Sequence, residues 1–346
     1  MIKNQLTHKG KHKVPDRMWA MTLPSPGCDL AVMDLPTPAP IGHDVLLKIA
    51  ACGVCRTDLH IIDGDLPCHR RGLVPGHEAV GYVVSVGRAC TRLKIGQRVG
   101  VPWLGGSCGK CIYCRDQKEN LCDAPVFTGY DRDGGFAEFA LADERYCFKI
   151  PDSYDDAHAA PLLCAGLIGF RAYRMCDPDK AQRIGIYGFG AAAHIVCQLA
   201  VAQGKRVFAM VRPGDDRSAQ FALKMGACWA GPSTECAPEP LDAALNFAPV
   251  GDLVPLALRA VRKGGRVVCA GIHMSKIPAF DYSLLWGERS ILSVANLTRL
   301  DGELFFAHIT KFPVETHVQT FFLSEANAAV AAVRTGALDG AAVLVP

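Results

Sequence analysis

The chain has 346 residues, of which 50% are hydrophobic and 21% charged, with a formal net charge of +3. These fractions exclude a disordered or collagen-like chain, and the length suits two domains that each bury a core. So small a charge gives no reason to expect nucleic acid or a membrane surface, and the longest apolar run, residues 159–170, is too short to span a bilayer.

In chain order, residues 1–17 read as a flexible extension: Lys3, Lys9, Lys11 and Lys13 accompany no apolar core, which argues against a signal peptide. A mitochondrial presequence would share the basic, acid-poor character, but residues 1–16 lack arginine and serine. The expectation is a cytoplasmic protein. Residues 18–150 are rich in glycine and proline, with short β-branched runs at 45–49 and 79–84, which predicts a mostly β domain with long loops. Farther on, apolar runs alternate with helix-length segments. Strands are expected at 184–187, 206–211, 241–247, 266–270 and 291–294, an Ala-rich helix over 191–203, and another helix ending near Met225. That alternation predicts a parallel sheet covered by helices. The tail, 301–346, returns to mixed patterning and is expected to rejoin the first domain.

Sixteen cysteines are many for a reducing compartment, and metal is the first explanation to test. Cys108, Cys111, Cys114 and Cys122 form C-x2-C-x2-C-x7-C. Four soft thiolates on a short loop close a tetrahedral zinc site with no open position, so this site reads as structural. An iron–sulfur cluster fits less well, because the ferredoxin run ends in a three-residue gap followed by proline. Here the gap is seven and Asp123 follows. Upstream stand Cys52, Cys55 and His77, which spacing alone leaves open between a redox pair, a zinc hook and a buried histidine.

These stretches, together with Pro161-Leu162-Leu163-Cys164-Ala165-Gly166 and the glycine turn at 188–190, occur in an order that resembles the zinc-dependent alcohol dehydrogenases of the medium-chain dehydrogenase/reductase superfamily. The resemblance runs from Met18 onward. It implies an α/β chain with a GroES-like, mostly β catalytic domain over 18–160 and 297–346, and a Rossmann doubly wound cofactor domain over 161–296. It makes Cys55, His77 and Cys164 the ligands of a catalytic zinc, so that two zinc ions are expected per chain, and leaves Cys52 a bystander. Asp58 and Glu78 match carboxylates that stand behind the ligands, Asp58 holding the imidazole of His77. Thr57 matches the hydroxyl that touches the substrate oxygen, and His60 the end of a proton relay through the cofactor ribose. The implied reaction is reversible hydride transfer between an alcohol and NAD(P) by way of a zinc-bound alkoxide. Trp103 resembles an aromatic wall of the substrate pocket, although core packing would explain it equally well. Relatives imply a homodimer or homotetramer acting on a small alcohol or aldehyde.

The run Gly188-Phe189-Gly190-Ala191-Ala192-Ala193 follows an expected strand and opens an expected helix, the context a dinucleotide fingerprint needs. Gly188 permits the tight turn, Gly190 lets a pyrophosphate approach, and Ala193 stands where a third glycine is common. The second strand ends at Val211 and Arg212, where NAD-binding chains place a carboxylate. An arginine there accommodates a 2′-phosphate, which favours NADP(H). Arg56 matches a further phosphate contact. Ile168 and Ala341 depart from the family, which commonly has threonine or valine at the first and a pyrophosphate-binding arginine at the second. A polyol or aryl-alcohol dehydrogenase is the nearer alternative. A zinc-stabilised binding protein without catalysis is the more distant one, and it predicts a missing ligand.

Overall fold

The computed structural model describes residues 14–338 and 340–346. Residues 1–13 of the expected extension lie outside the described ones, and its last residue, Arg17, opens the strand Arg17–Thr22.

Parallel strands are covered on both faces and therefore read as near-continuous apolar runs. Ile184 and Ile186 on Arg183–Tyr187, Val207 and Ala209 on Arg206–Val211, and Ala243 and Leu245 on Leu241–Asn246 are all fully buried. Six strands run parallel, in the spatial order Trp229–Pro232, Arg206–Val211, Arg183–Tyr187, Leu241–Asn246, Val261–Cys269 and Ser290–Ser293. Numbered along the chain this is 3-2-1-4-5-6, the doubly wound order of dinucleotide-binding sheets. The expected strands and the helix Ala191–Ala202 are present. The strand Trp229–Pro232 was not expected, because its four residues end in Gly231 and Pro232, which weaken any strand signal.

The earlier half of the chain builds a seven-stranded sheet around Asp44–Val54. That strand pairs antiparallel with Glu78–Val86, with Phe139–Asp143 and with the C-terminal strand Ala341–Val345. The last pairing sets Ala342 against Val54 and Leu344 against Cys52, so the tail adds to the sheet begun near the start of the chain.

The two sheets meet at a short turn. Leu162 and Leu163, in the 3₁₀ turn Ala160–Leu163, share one buried cluster with Ala51 and Val80 of the first sheet and Ile184 of the second. The helix Ala165–Met175 follows at once and lies against the helix Arg299–Lys311, with Phe170 and Phe305 tilted at 5.6 Å. Asp301 caps the latter helix in a reciprocal box with Thr298 and also accepts from Arg171 and Arg174 of the former. These cationic partners, with the cap, offset the cost of burying a carboxylate there. Cys164 sits at the junction between turn and helix.

Candidate metal and cofactor sites

Cys55 is the N-cap of the helix Arg56–Asp63, and its thiol sulfur accepts from the Thr57 amide at 3.3 Å. Asp58, three residues on, accepts from the Cys55 amide at 2.9 Å, which completes a capping box. The other carboxylate oxygen of Asp58 accepts from the Gly76 amide at 3.2 Å and lies 3.1 Å from His77 Nδ1. Both side chains are wholly buried. An ionised Asp58 accepts a hydrogen bond from His77 Nδ1–H, which leaves Nε2 facing Cys55 Sγ, 3.1 Å away. The strand-end register brings Glu78 opposite Gly53, and glycine is required there, since a Cβ would fall 1.8 Å from Glu78 Oε2. The donor atoms of Cys55, His77, Glu78 and Cys164 all lie within 4.8 Å of one another. Cys52 is not among them; it is buried, packed beside Gly76 and Gly135.

A hydrogen bond from Cys164 holds the Cys55 thiol well below its ordinary pKa, and the same bond raises Cys164 well above it. Burial disfavours the His77 imidazolium, but Asp58 and Cys55 outweigh burial and raise that pKa well above the ordinary value. Burial pushes both Asp58 and Glu78 up. Two thiols, one imidazole and a carboxylate close together in an apolar setting form a donor set suited to zinc.

Cys108, Cys111, Cys114 and Cys122 converge likewise, all donors within 4.8 Å of one another. Their loop turns through the short helix Ile112–Arg115 and the 3₁₀ turn Glu119–Leu121. Backbone amides aim at the sulfurs: Cys108 N–H at Cys122 and Cys111 N–H at Cys108, at 3.3 and 3.4 Å. Such amides, that of Cys114 first, hold Cys111 down to about 6, whereas burial pushes Cys122 up to about 11.

At the cofactor end, Gly188 has φ of +80°, a conformation glycine adopts without strain, and its amide donates to Met210. Gly190 caps the helix Ala191–Ala202, and a Cβ there would meet nothing within 4 Å. The exposed helix N-terminus therefore leaves room for an anion beside unpaired amides. Phe189 is buried edge-on to Phe221, and Ala193 is buried where the helix meets the sheet. Val211 is buried at its strand end, and Arg212 is exposed next to it. The nearest acid, Asp215, is occupied as a cap: its carboxylate accepts from the Ser218 amide and hydroxyl at 3.0 and 2.9 Å.

Thr57 is buried in the first turn of its helix, and His60 is on the same face three residues on. His60 Nδ1 lies 2.8 Å from Asp65, a partner that nothing in the sequence pattern singled out. Arg56 is exposed at the start of that helix. Trp103 stands edge-on to the His77 ring at 5.1 Å and stacks on Phe127 at 4.8 Å. Tyr130 also stacks on Trp103, at 5.8 Å, so the indole is part of an aromatic cluster beside His77. Phe127 and Tyr130 also escaped sequence reasoning, because only folding brings them to Trp103. Among the described residues no helix is long and apolar enough to cross a membrane.

Residues 42–152 match the alcohol dehydrogenase GroES-like domain. The Probable alcohol dehydrogenase AdhA of Mycobacterium tuberculosis (strain CDC 1551 / Oshkosh) is 44% identical over 316 residues, 90% of each chain. An alcohol dehydrogenase of Geobacillus stearothermophilus is 34% identical over 310 residues, 87% of this chain and 91% of that one. Among solved structures, the acetophenone reductase from Geotrichum candidum in complex with NAD superposes with a TM-score of 0.84 at 29% identity, covering 96% of this chain and 98% of that one. The chain belongs to the medium-chain dehydrogenase/reductase superfamily and, within it, to the zinc-dependent alcohol dehydrogenases.

Because His77 and Cys164 are both raised, the metal-free cluster holds their protons at neutral pH, and a metal must displace them. Its apparent zinc affinity is expected to fall by at least about tenfold for each unit of acidification between pH 8 and 6. Chelator competition measures this, with Cys164→Ser as the reference for the four-cysteine site. An affinity independent of pH would contradict the assignment.

Proposed function

We propose that the chain catalyses reversible hydride transfer between a small alcohol and a nicotinamide dinucleotide, with NADP(H) preferred. The observation that carries this reading is the convergence of Cys55, His77 and Cys164 from three distant stretches of the chain. These three residues would hold a catalytic zinc, and the four-cysteine loop a structural one, giving two per chain. Zinc at the first site supplies a Lewis acid that lowers the pKa of an alcohol. In the oxidation a hydride leaves the carbinol carbon for the nicotinamide and a proton leaves the oxygen.

The chain's own residues have separable tasks. Asp58 fixes which nitrogen of His77 faces the donor cluster. The Thr57 hydroxyl would take up the substrate proton, His60 would release it to solvent, and a bound cofactor would supply the ribose hydroxyl between them. Asp65 occupies Nδ1 of His60, which leaves Nε2 to exchange protons at the solvent side. Arg56 and the helix N-terminus at Gly190 bind phosphate oxygens, and Arg212 a 2′-phosphate. The capping role of Asp215 supports that preference, since Ser218 engages this carboxylate. The stacked Trp103, Phe127 and Tyr130 favour an aryl alcohol as a second reading of the substrate. The unpaired edge of Ser290–Ser293, with exposed Tyr282 and Trp286 on the segment leading into it, supports a homo-oligomer. Sites that need thiolates suit a reducing compartment such as the cytoplasm.

An activity screen of alcohols and aldehydes with both cofactors, read by nicotinamide absorbance, tests the function. Cys164→Ala is expected to keep the fold and lose more than about nine-tenths of the turnover. Wild-type turnover with no substrate pair, or a variant that retains its activity, would overturn the reading. The double change Val211→Asp, Arg212→Ile is expected to shift the kcat/KM ratio toward NAD by about tenfold or more. An unchanged ratio would refute the role given to Arg212.

A further inference from the structure

The 3₁₀ turn inside the four-cysteine loop reaches well beyond its own lobe. Asn120 is buried and donates its side-chain amide to the Ala295 carbonyl at 2.7 Å. Glu119, also buried, accepts from both the amide and the Nε of Arg299, at 2.8 and 3.1 Å. Arg299 in turn lies over the Tyr146 ring, whose hydroxyl is 2.6 Å from Ser107, and Ser107 accepts from the Cys114 thiol. Two independent ties thus run from the cysteine loop to residues 295–299.

That segment is the exit of the last parallel strand, at the carboxyl end of the sheet, where the Val294 amide still donates to Cys269. Ligands of doubly wound sheets bind at this end, and the mononucleotide not held at the Gly188 turn lies over the later strands. The segment passes through a left-handed residue. Asn296 has φ of +59°, its buried Nδ2 has no partner, and its Oδ1 accepts from the Leu297 amide at 2.8 Å. Asparagine is among the few non-glycine residues that take up this left-handed backbone readily, here with its own side chain on the next amide. Two residues farther, Thr298 and Asp301 begin the helix that bonds Arg171 and Arg174, on the helix that starts at Cys164.

We propose that Glu119 and Asn120 are positioning residues for the nicotinamide half of the cofactor: the cysteine loop clamps the 294–299 segment in the conformation that receives it. The proposal rests on the dinucleotide reading given above. It makes the four-cysteine lobe part of the binding apparatus as well as a stabilising one.

The test is the dissociation constant of the reduced nicotinamide cofactor, measured by fluorescence titration on the zinc-loaded chain. Asn120→Ala and Asn120→Asp, which both remove the donor to Ala295, are expected to raise it about three- to tenfold, the worth of one net hydrogen bond. In turnover the loss falls on the cofactor KM more than on kcat. Amide hydrogen exchange at Leu297, Arg299 and Asp301 is expected to quicken in both variants. If Asn120→Ala does not accumulate as folded protein, Arg299→Ala, which lies outside the cysteine loop and removes the side-chain partner of Glu119, is expected to give the same rise. Unchanged dissociation constants overturn the proposal, whether or not Tm falls. Absence of cofactor binding by the wild-type chain would instead overturn the dinucleotide reading and this proposal with it.

Discussion

A single buried carboxylate holds the candidate active site together. Asp58 accepts from the amides of Cys55 and Gly76 and from the ring of His77, and so joins a helix start, a loop and an imidazole that are distant in sequence. Burying this charge is costly, and the three donors are what make it tolerable. In return the carboxylate fixes the ring of His77, so that Nε2 faces the thiol of Cys55. The same aspartate is the third residue of the helix that carries Thr57 and His60. Cap geometry, the orientation of the His77 ring and the start of the helix that carries Thr57 and His60 therefore depend on one side chain.

The second organising feature is the placement of Cys164 where the two sheets meet. The residues before it pack on the first sheet, and the helix after it packs beside the helix Ala191–Ala202, Val196 approaching Gly169 so closely that a Cβ would lie 2.6 Å away. Cys164 at this junction belongs to both halves of the molecule. Asp301, by joining Arg171 and Arg174 to a helix from the far end of the chain, restrains the same junction from the other side. The site is thus assembled at a seam, where ligand pockets commonly lie.

What the sequence reveals follows from range. The four cysteines are neighbours along the chain, so their spacing announces a metal site without any knowledge of the fold. The parallel strands are legible because buried strands are unbroken apolar runs, whereas Trp229–Pro232 is too short and too poor in β formers to be seen. Cys55, His77 and Cys164 are separated by long stretches, and only the order of several motifs, matched to a family, joined them beforehand. The partners Asp65, Phe127 and Tyr130, and the ties from Glu119 and Asn120, had no local signature. Thr298 and Asp301 did have one, the spacing of a capping box, but the arginines that share Asp301 come from across the fold.

Anomalous diffraction at the zinc absorption edge, from crystals of the metal-replete chain, tests the central claim most directly. The account predicts one zinc within about 2.0–2.4 Å of Cys55 Sγ, His77 Nε2 and Cys164 Sγ, with Asp58 still on His77 Nδ1. A site bound through Nδ1 of His77, or no zinc between these three residues, would contradict it.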